Sequence, residues 1–231
     1  MEKIMEIYKS LFKIKKEEIY LLLITFTCVF LRSSFFEKIS PFYFLFFLLE
    51  IYLTVSVYSG IKKSLYNDNF KFSDIFKDGL YFFPSILLYQ FIVGLCFSII
   101  YLIISSLIDS IKSFSFFSFF LFFLIIVWGA IGLYFLFLTI YTPFIVISEE
   151  EILFDAILKS FKFMKKNIEN LIVFFFPFSV LWFVFFTNFQ KYVNIFFLRF
   201  FLLFLISFLE ILTVKLAFLI YKERGENERN F

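Results

Sequence analysis

Three polar side chains stand far inside long apolar runs of this sequence: Glu50, Gln90 and Glu210. A carboxylate in hydrocarbon is costly unless it is protonated, paired or turned toward a protein interior. Such groups mark either a site for a proton, cation or polar headgroup, or a set of interhelical hydrogen bonds worth about 1 kcal/mol each. Glu50 facing a partner protein is a third reading. Lys215, near the end of the same run as Glu210, can snorkel outward or reach part of the way toward Glu210. Glu50, Gln90, Glu210 and Lys215 together form the candidate intramembrane polar site.

Other chemistries lack their residues. Histidine is absent, which removes the commonest general base and transition-metal ligand. Cys28 and Cys96 fall inside separate apolar runs, so neither a disulfide framework nor a CxxC zinc or redox pair is expected. Six scattered glycines assemble no phosphate loop, dinucleotide loop or nucleophile elbow. The expectation is therefore no enzyme, no catalytic residue, no metal and no cofactor. A net charge of +3, with lysines spread along the chain, speaks against a nucleic-acid partner.

The elements that must position these groups follow from composition. The 231 residues are 62% hydrophobic and only 18% charged, with 45 Phe, and the mean hydropathy is +0.93. Soluble chains run nearer half apolar and a quarter charged, so this reads as a polytopic membrane protein. A helix crossing a hydrocarbon core about 30 Å thick needs roughly 20 apolar residues. Six stretches qualify: Ile19–Phe36, Pro41–Ile61, Leu80–Ile108, Phe116–Tyr141, Leu171–Phe189 and Asn194–Tyr221. The first is broken by Arg32, which can snorkel to the outer interface. The mixed-charge residues ahead of it read as retained chain rather than as a cleaved signal.

Basic residues set the orientation. Lys3, Lys9, Lys13, Lys15, Lys16, Lys62, Lys63, Lys71, Lys77, Lys159, Lys162, Lys165, Lys166, Lys222, Arg224 and Arg229 fall on one side. Arg32, Lys38, Lys112, Lys191 and Arg199 fall on the other. The bias places both termini in the cytoplasm. At 1.5 Å of rise per residue, Glu50 lies about 15 Å from the inner end of its span, Gln90 about 15 Å and Glu210 about 16 Å, all near the midplane.

The inner connections carry structure of their own. After Pro143, SEEEILFDAILKSFKFMKKNIEN reads as an amphipathic helix, with Ser148 and Glu151 spaced as a capping box. Leu153, Ile157, Phe161, Met164 and Ile168 form its apolar stripe. Lys159, Lys162, Lys165 and Lys166 are the membrane-surface basic residues, set toward anionic headgroups. The functional reading is lipid or partner sensing, and the bland one is an anchoring connector between spans.

IYKSLFKIKKEEIYLLL near the N-terminus superposes on the later ILKSFKFMKKNIENLIV, with Lys9-Ser10 over Lys159-Ser160 and Lys15-Lys16 over Lys165-Lys166. FSDIFKDGLYFF enters the third span in the same manner. The chain divides into three parallel units, about 1–61, 62–148 and 149–231, each a surface helix followed by a transmembrane hairpin. Small residues at Ser56/Gly60, Gly94/Ser98 and Ala156/Ser160 favour close helix approach, and Gly129, Ala130, Gly132 and Pro177 soften spans four and five.

The segment YTPFIVISEEEILFDAILKSFKFMKKNIENL resembles a group of uncharacterised six-helix prokaryotic membrane proteins related to the membrane domain of glycerophosphodiester phosphodiesterases. The matching positions are Pro143, Glu149 to Glu151, Ala156, Ser160 and Lys165-Lys166. The resemblance implies an all-α bundle of six transmembrane helices in a prokaryotic cell membrane, and no established activity. Two functional classes follow. The first is a non-enzymatic membrane component organising lipid or a partner complex, whether a membrane protein partner or further copies of the chain. The second is a small transporter or permease subunit using the midplane polar groups. A shared hydrated cavity around Glu50, Gln90 and Glu210 discriminates between them.

Overall fold

An apolar run gives its backbone no solvent partners, so its amides and carbonyls must satisfy one another locally, which the α-helix does. The computed structural model describes residues 2–35, 43–66, 71–113, 118–192 and 196–225, and among them every regular element is a helix. These are α1 (Glu2–Phe12), α2 (Lys16–Phe35), α3 (Tyr43–Tyr66), α4 (Phe72–Ser113), α5 (Ser118–Thr139), α6 (Thr142–Glu149), α7 (Leu153–Tyr192) and α8 (Phe196–Gly225). Among the described residues three stretches are long and apolar enough to cross a membrane: Phe44–Tyr66, Ser73–Ile108 and Leu198–Glu223. Phe123–Gly132 is a shorter apolar stretch within α5. Residues 36, 41–42, 116–117 and 194–195 of the expected spans lie outside the described residues, as do Lys38, Arg229 and the side chain of Arg32.

Two expected surface helices are not separate. α4 runs unbroken for 42 residues and α7 for 40, so each is about 60 Å long, twice the hydrocarbon thickness. The charged segments around Asp74 and Lys159 are therefore continuations of the apolar helices, and α4 stays helical through Gly79 and Pro84 at its junction. Only α1 is set off, by a break at Lys13–Lys15. There Glu18 at the third position of α2 accepts a hydrogen bond from the Lys15 backbone amide, the returning half of a capping box.

The expected capping box at Ser148 and Glu151 is not formed. Ser148 lies inside α6, its hydroxyl makes no hydrogen bond among the described residues, and α7 starts later, at Leu153. Glu150 closes α6 in the left-handed region (φ 57°), which turns the chain sharply enough to separate two helices where one was expected. The buried stripe of α7 is Leu153, Ala156, Ser160, Phe163, Met164 and Asn167, and Ile168 is exposed. The helix thus presents a partly polar face rotated from the purely apolar one, with Ile157 and Phe161 of the expected stripe half-buried at its edge.

α2, α3, α4, α5, α7 and α8 pack as a closed circuit in chain order, with α8 returning to α2 and also touching α3. α1 lies on α8, and α6 is wedged against α3, α4 and α7. Small residues allow two of these approaches. A Cβ on Gly79 would meet Ser56 Oγ at 2.0 Å, and one on Gly60 would meet Leu21 Cδ2 at 2.6 Å. Gly94, by contrast, has no neighbour within 4 Å. The main core gathers at the end of the bundle where α1 and α6 sit, around Leu11, Ile61, Ile75, Ile145, Met164 and Phe218. Toward the other end a small cluster of Val29, Leu203 and Ile206 is packed with Phe26. In lipid no hydrophobic force draws helices together, so tight packing concentrates where short polar-flanked segments fill the gap between them.

Candidate functional site

The helical period decides which side chains share a wall. Glu50, Thr54 and Tyr58 recur at intervals of four on α3, Tyr89 and Gln90 follow Ile86 on α4, and Glu210, Thr213 and Ala217 recur on α8, so each set lies on one helix face. These faces, with Thr25 and Cys28 of α2, line one cavity of about 470 Å³. Ile140, Tyr141, Pro143 and Phe144 close it from the α5–α6 corner. Glu50, Gln90 and Glu210 are thus on the wall of the same space. Depth arithmetic picked out these three, but passed over Thr25, Cys28, Thr54, Tyr58, Tyr89 and Thr213. The four-residue spacing from Glu50 was the available signal for Thr54 and Tyr58.

The wall is rich in acceptors. Thr25 Oγ1 donates to the Leu21 carbonyl at 2.9 Å, Thr213 Oγ1 to the Leu209 carbonyl at 2.7 Å, and the Tyr89 hydroxyl to the Thr139 carbonyl at 3.0 Å. Each hydroxyl has spent its one proton on the backbone and keeps only lone pairs for the cavity. Aliphatic side chains such as Ile51, Val57, Ile86 and Val214 and the rings of Phe47, Tyr58 and Phe144 supply the rest of the surface. Tyr58 stacks on Phe144 with centroids 5.2 Å apart, and Phe144 meets Phe218 edge-on at 5.1 Å.

α6 plugs one end. Residues Thr142 to Ile147 are buried, and Tyr141 packs against Phe163, which packs against Tyr221. Its C-terminal end is pinned by charge. Lys62 Nζ donates to the Ile147 carbonyl at 2.6 Å and lies 3.6 Å from Glu150. Tyr221 donates to Glu149 at 2.6 Å. A cation at free helix carbonyls is the arrangement the helix dipole favours.

Lys159 was assigned to headgroups. It instead bridges Glu149 at 2.7 Å and Glu151 at 2.5 Å, because the turn at Glu150 brings both carboxylates over the first turns of α7. Those hydrogen bonds, Glu149 first, hold its ammonium above the ordinary lysine range. Lys162, Lys165 and Lys166 are exposed on α7.

Lys215 is not part of the cavity wall, which corrects its grouping with Glu50, Gln90 and Glu210. It is 2% exposed and donates to Glu18 at 2.9 Å and to the Lys13 carbonyl at 2.7 Å. Glu18, 3% exposed, also accepts from Ser64 Oγ at 2.9 Å, and Lys15 Nζ donates to the Ser64 carbonyl. The reason is rotational: five residues along α8 is about 500° of turn, so Lys215 faces α1 and α2 while Glu210 faces the cavity. This node joins the α1–α2 break, the end of α3 and the middle of α8.

Among the described residues no group of three or more Cys, Asp or Glu side chains gathers as a metal would require. No family model matches the chain, and no similar curated protein or solved structure was found.

Proposed function

We propose that this chain is a multi-pass protein of a prokaryotic cell membrane, with six spans formed by α2, α3, α4, α5, α7 and α8 and both termini in the cytoplasm. Its function is to bind a small polar solute in the interior cavity and to pass it across the membrane. One observation supports the reading: three polar side chains from three helices, Glu50, Gln90 and Glu210, line a single cavity of about 470 Å³. Ligand pockets for small molecules span roughly 300–1,000 Å³, so the space is of the right order for a compact solute.

The resemblance to six-helix membrane proteins agrees with the span count, and the basic-residue bias supports the orientation. With that orientation α6 is a cytoplasmic plug under the cavity. The first class expected from the sequence, a scaffold for lipid or a partner complex, drew its support from three inner-surface helices and from scarce intramembrane polarity. α1 alone stands apart in this way, since α4 and α7 are continuous.

Cys28 on the cavity wall is a native reporter. A Cys96→Ser variant in sealed proteoliposomes is treated with the small neutral thiol reagent 2-hydroxyethyl methanethiosulfonate, and adducts are read by intact mass. One adduct at Cys28 in the folded protein is expected. No adduct in the folded protein, with full modification after unfolding, overturns the reading, because a solute route must admit water.

A further inference from the structure

The lining says what kind of solute the cavity accepts. Two carboxylates, Glu50 and Glu210, line one space. The hydroxyls of Thr25, Thr213 and Tyr89 add oxygen lone pairs whose protons already face backbone carbonyls. Gln90 brings an amide that both donates and accepts. An anion would meet like charge and few donors there. A bare metal ion needs its oxygens in one tight shell, and among the described residues no group of three or more Cys, Asp or Glu side chains gathers to form one. The aromatic side of the cavity, Phe47, Tyr58 and Phe144, suits a hydrocarbon body or a cation over a ring face.

We infer that the cavity takes a small organic cation carrying an ammonium group, with the ammonium donating to Glu50, Glu210 and the hydroxyl oxygens and its carbon body against the aromatic wall. This rests on the reading of the cavity as a solute site. The same ammonium chemistry has two sources, a free amine in water and the amine of a phospholipid headgroup, and the two give different outcomes below.

The test compares three thiol reagents of similar size on the Cys96→Ser protein in phosphatidylcholine vesicles: 2-aminoethyl, 2-hydroxyethyl and 2-sulfonatoethyl methanethiosulfonate. Rates at Cys28 are divided by each reagent's rate with a free thiol. A site of one sign of charge raises counter-ion access by tenfold or more, so the ammonium reagent should exceed the sulfonate by at least about tenfold. Glu50→Gln with Glu210→Gln, nearly isosteric changes, should bring the ratio close to one. Each single substitution should lower it in part, and size-exclusion profiles check that the variants remain folded. Equal normalised rates for all three reagents overturn the cation assignment and leave the solute site standing. No adduct with any reagent overturns both. Slowing of the reaction by excess ethanolamine assigns a free amine, and slowing only in vesicles containing phosphatidylethanolamine assigns the headgroup. Slowing by neither overturns the ammonium assignment.

Discussion

Replacing Lys215 with Met removes the cation from a pair that is almost entirely enclosed, at 2% and 3% exposure. At 2.9 Å the two charges attract by about 6 kcal/mol in surroundings of effective dielectric about 20. Burying both ions costs several kcal/mol each, so the net worth of the intact pair is small, while removal of one partner strands the other and costs about 3–5 kcal/mol. Lys215→Met leaves the Glu18 carboxylate with Ser64 and the Lys15 amide. Glu18→Gln leaves the ammonium with the Lys13 carbonyl and a neutral amide. Each single variant should lose about 3–5 kcal/mol of unfolding free energy. The double variant should lose little more than either one, so the coupling should be about as large as a single loss, about 3 kcal/mol or more. The assay is unfolding in mixed micelles of dodecyl sulfate and dodecyl maltoside, followed by circular dichroism. Hydrogen exchange gives an independent readout: amides around Lys13–Glu18 should lose protection in Lys215→Met, because the ammonium is what ties that break to α8. A loss under about 1 kcal/mol, or strictly additive losses, would refute the argument that this pair anchors the N-terminal helices.

Two further predictions follow from the same geometry. Gly79→Ala should cost about 1–3 kcal/mol, since its Cβ meets Ser56 Oγ at 2.0 Å and the Ser56 Cα at 3.2 Å, and a backbone atom cannot swing aside. Gly94→Ala, in open space, should be neutral or stabilise by up to about 1 kcal/mol, and the same micelle unfolding assay separates the two. Lys159 supplies a pH dependence. Its folded pKa is raised above the ordinary 10.5, so its contribution is fully present below about pH 10.5 and is lost as pH climbs through the folded value. The side chain is 43% exposed, which limits the effect to about 1 kcal/mol or less. The gap in melting temperature between wild type and Lys159→Gln should be constant from pH 8 to about 10 and close above that; a gap unchanged up to about pH 12 contradicts it.

Much of the site was legible before any coordinate because an α-helix has a constant rise and a constant turn. Polarity within apolar runs singled out Glu50, Gln90 and Glu210, which the structure brings to one cavity, and turn alone relates Glu50 to Thr54 and Tyr58. The helical character of the apolar runs follows just as directly from backbone groups that have no other partner. The repeat was legible too, but its meaning was not: Ser10 is exposed and Ser160 fully buried, although they superpose in sequence. A side chain's neighbours depend on which helix lies beside it, and a local pattern does not encode that.

The tertiary structure decided the rest. Lys215 and Glu18 are 197 positions apart, and no spacing rule pairs them. α6 reads as part of a connector until its apolar face, Tyr141 to Ile147, is seen enclosed by α3, α4 and α7. Lys159 has the chemistry of a headgroup contact, yet one left-handed residue at Glu150 delivers two carboxylates to it first. In each case the sequence by itself determined which groups exist and where along a helix they stand. Rotation and packing of whole helices determined what they touch, because contact is set by the sum of many weak interactions along a helix rather than by any one residue.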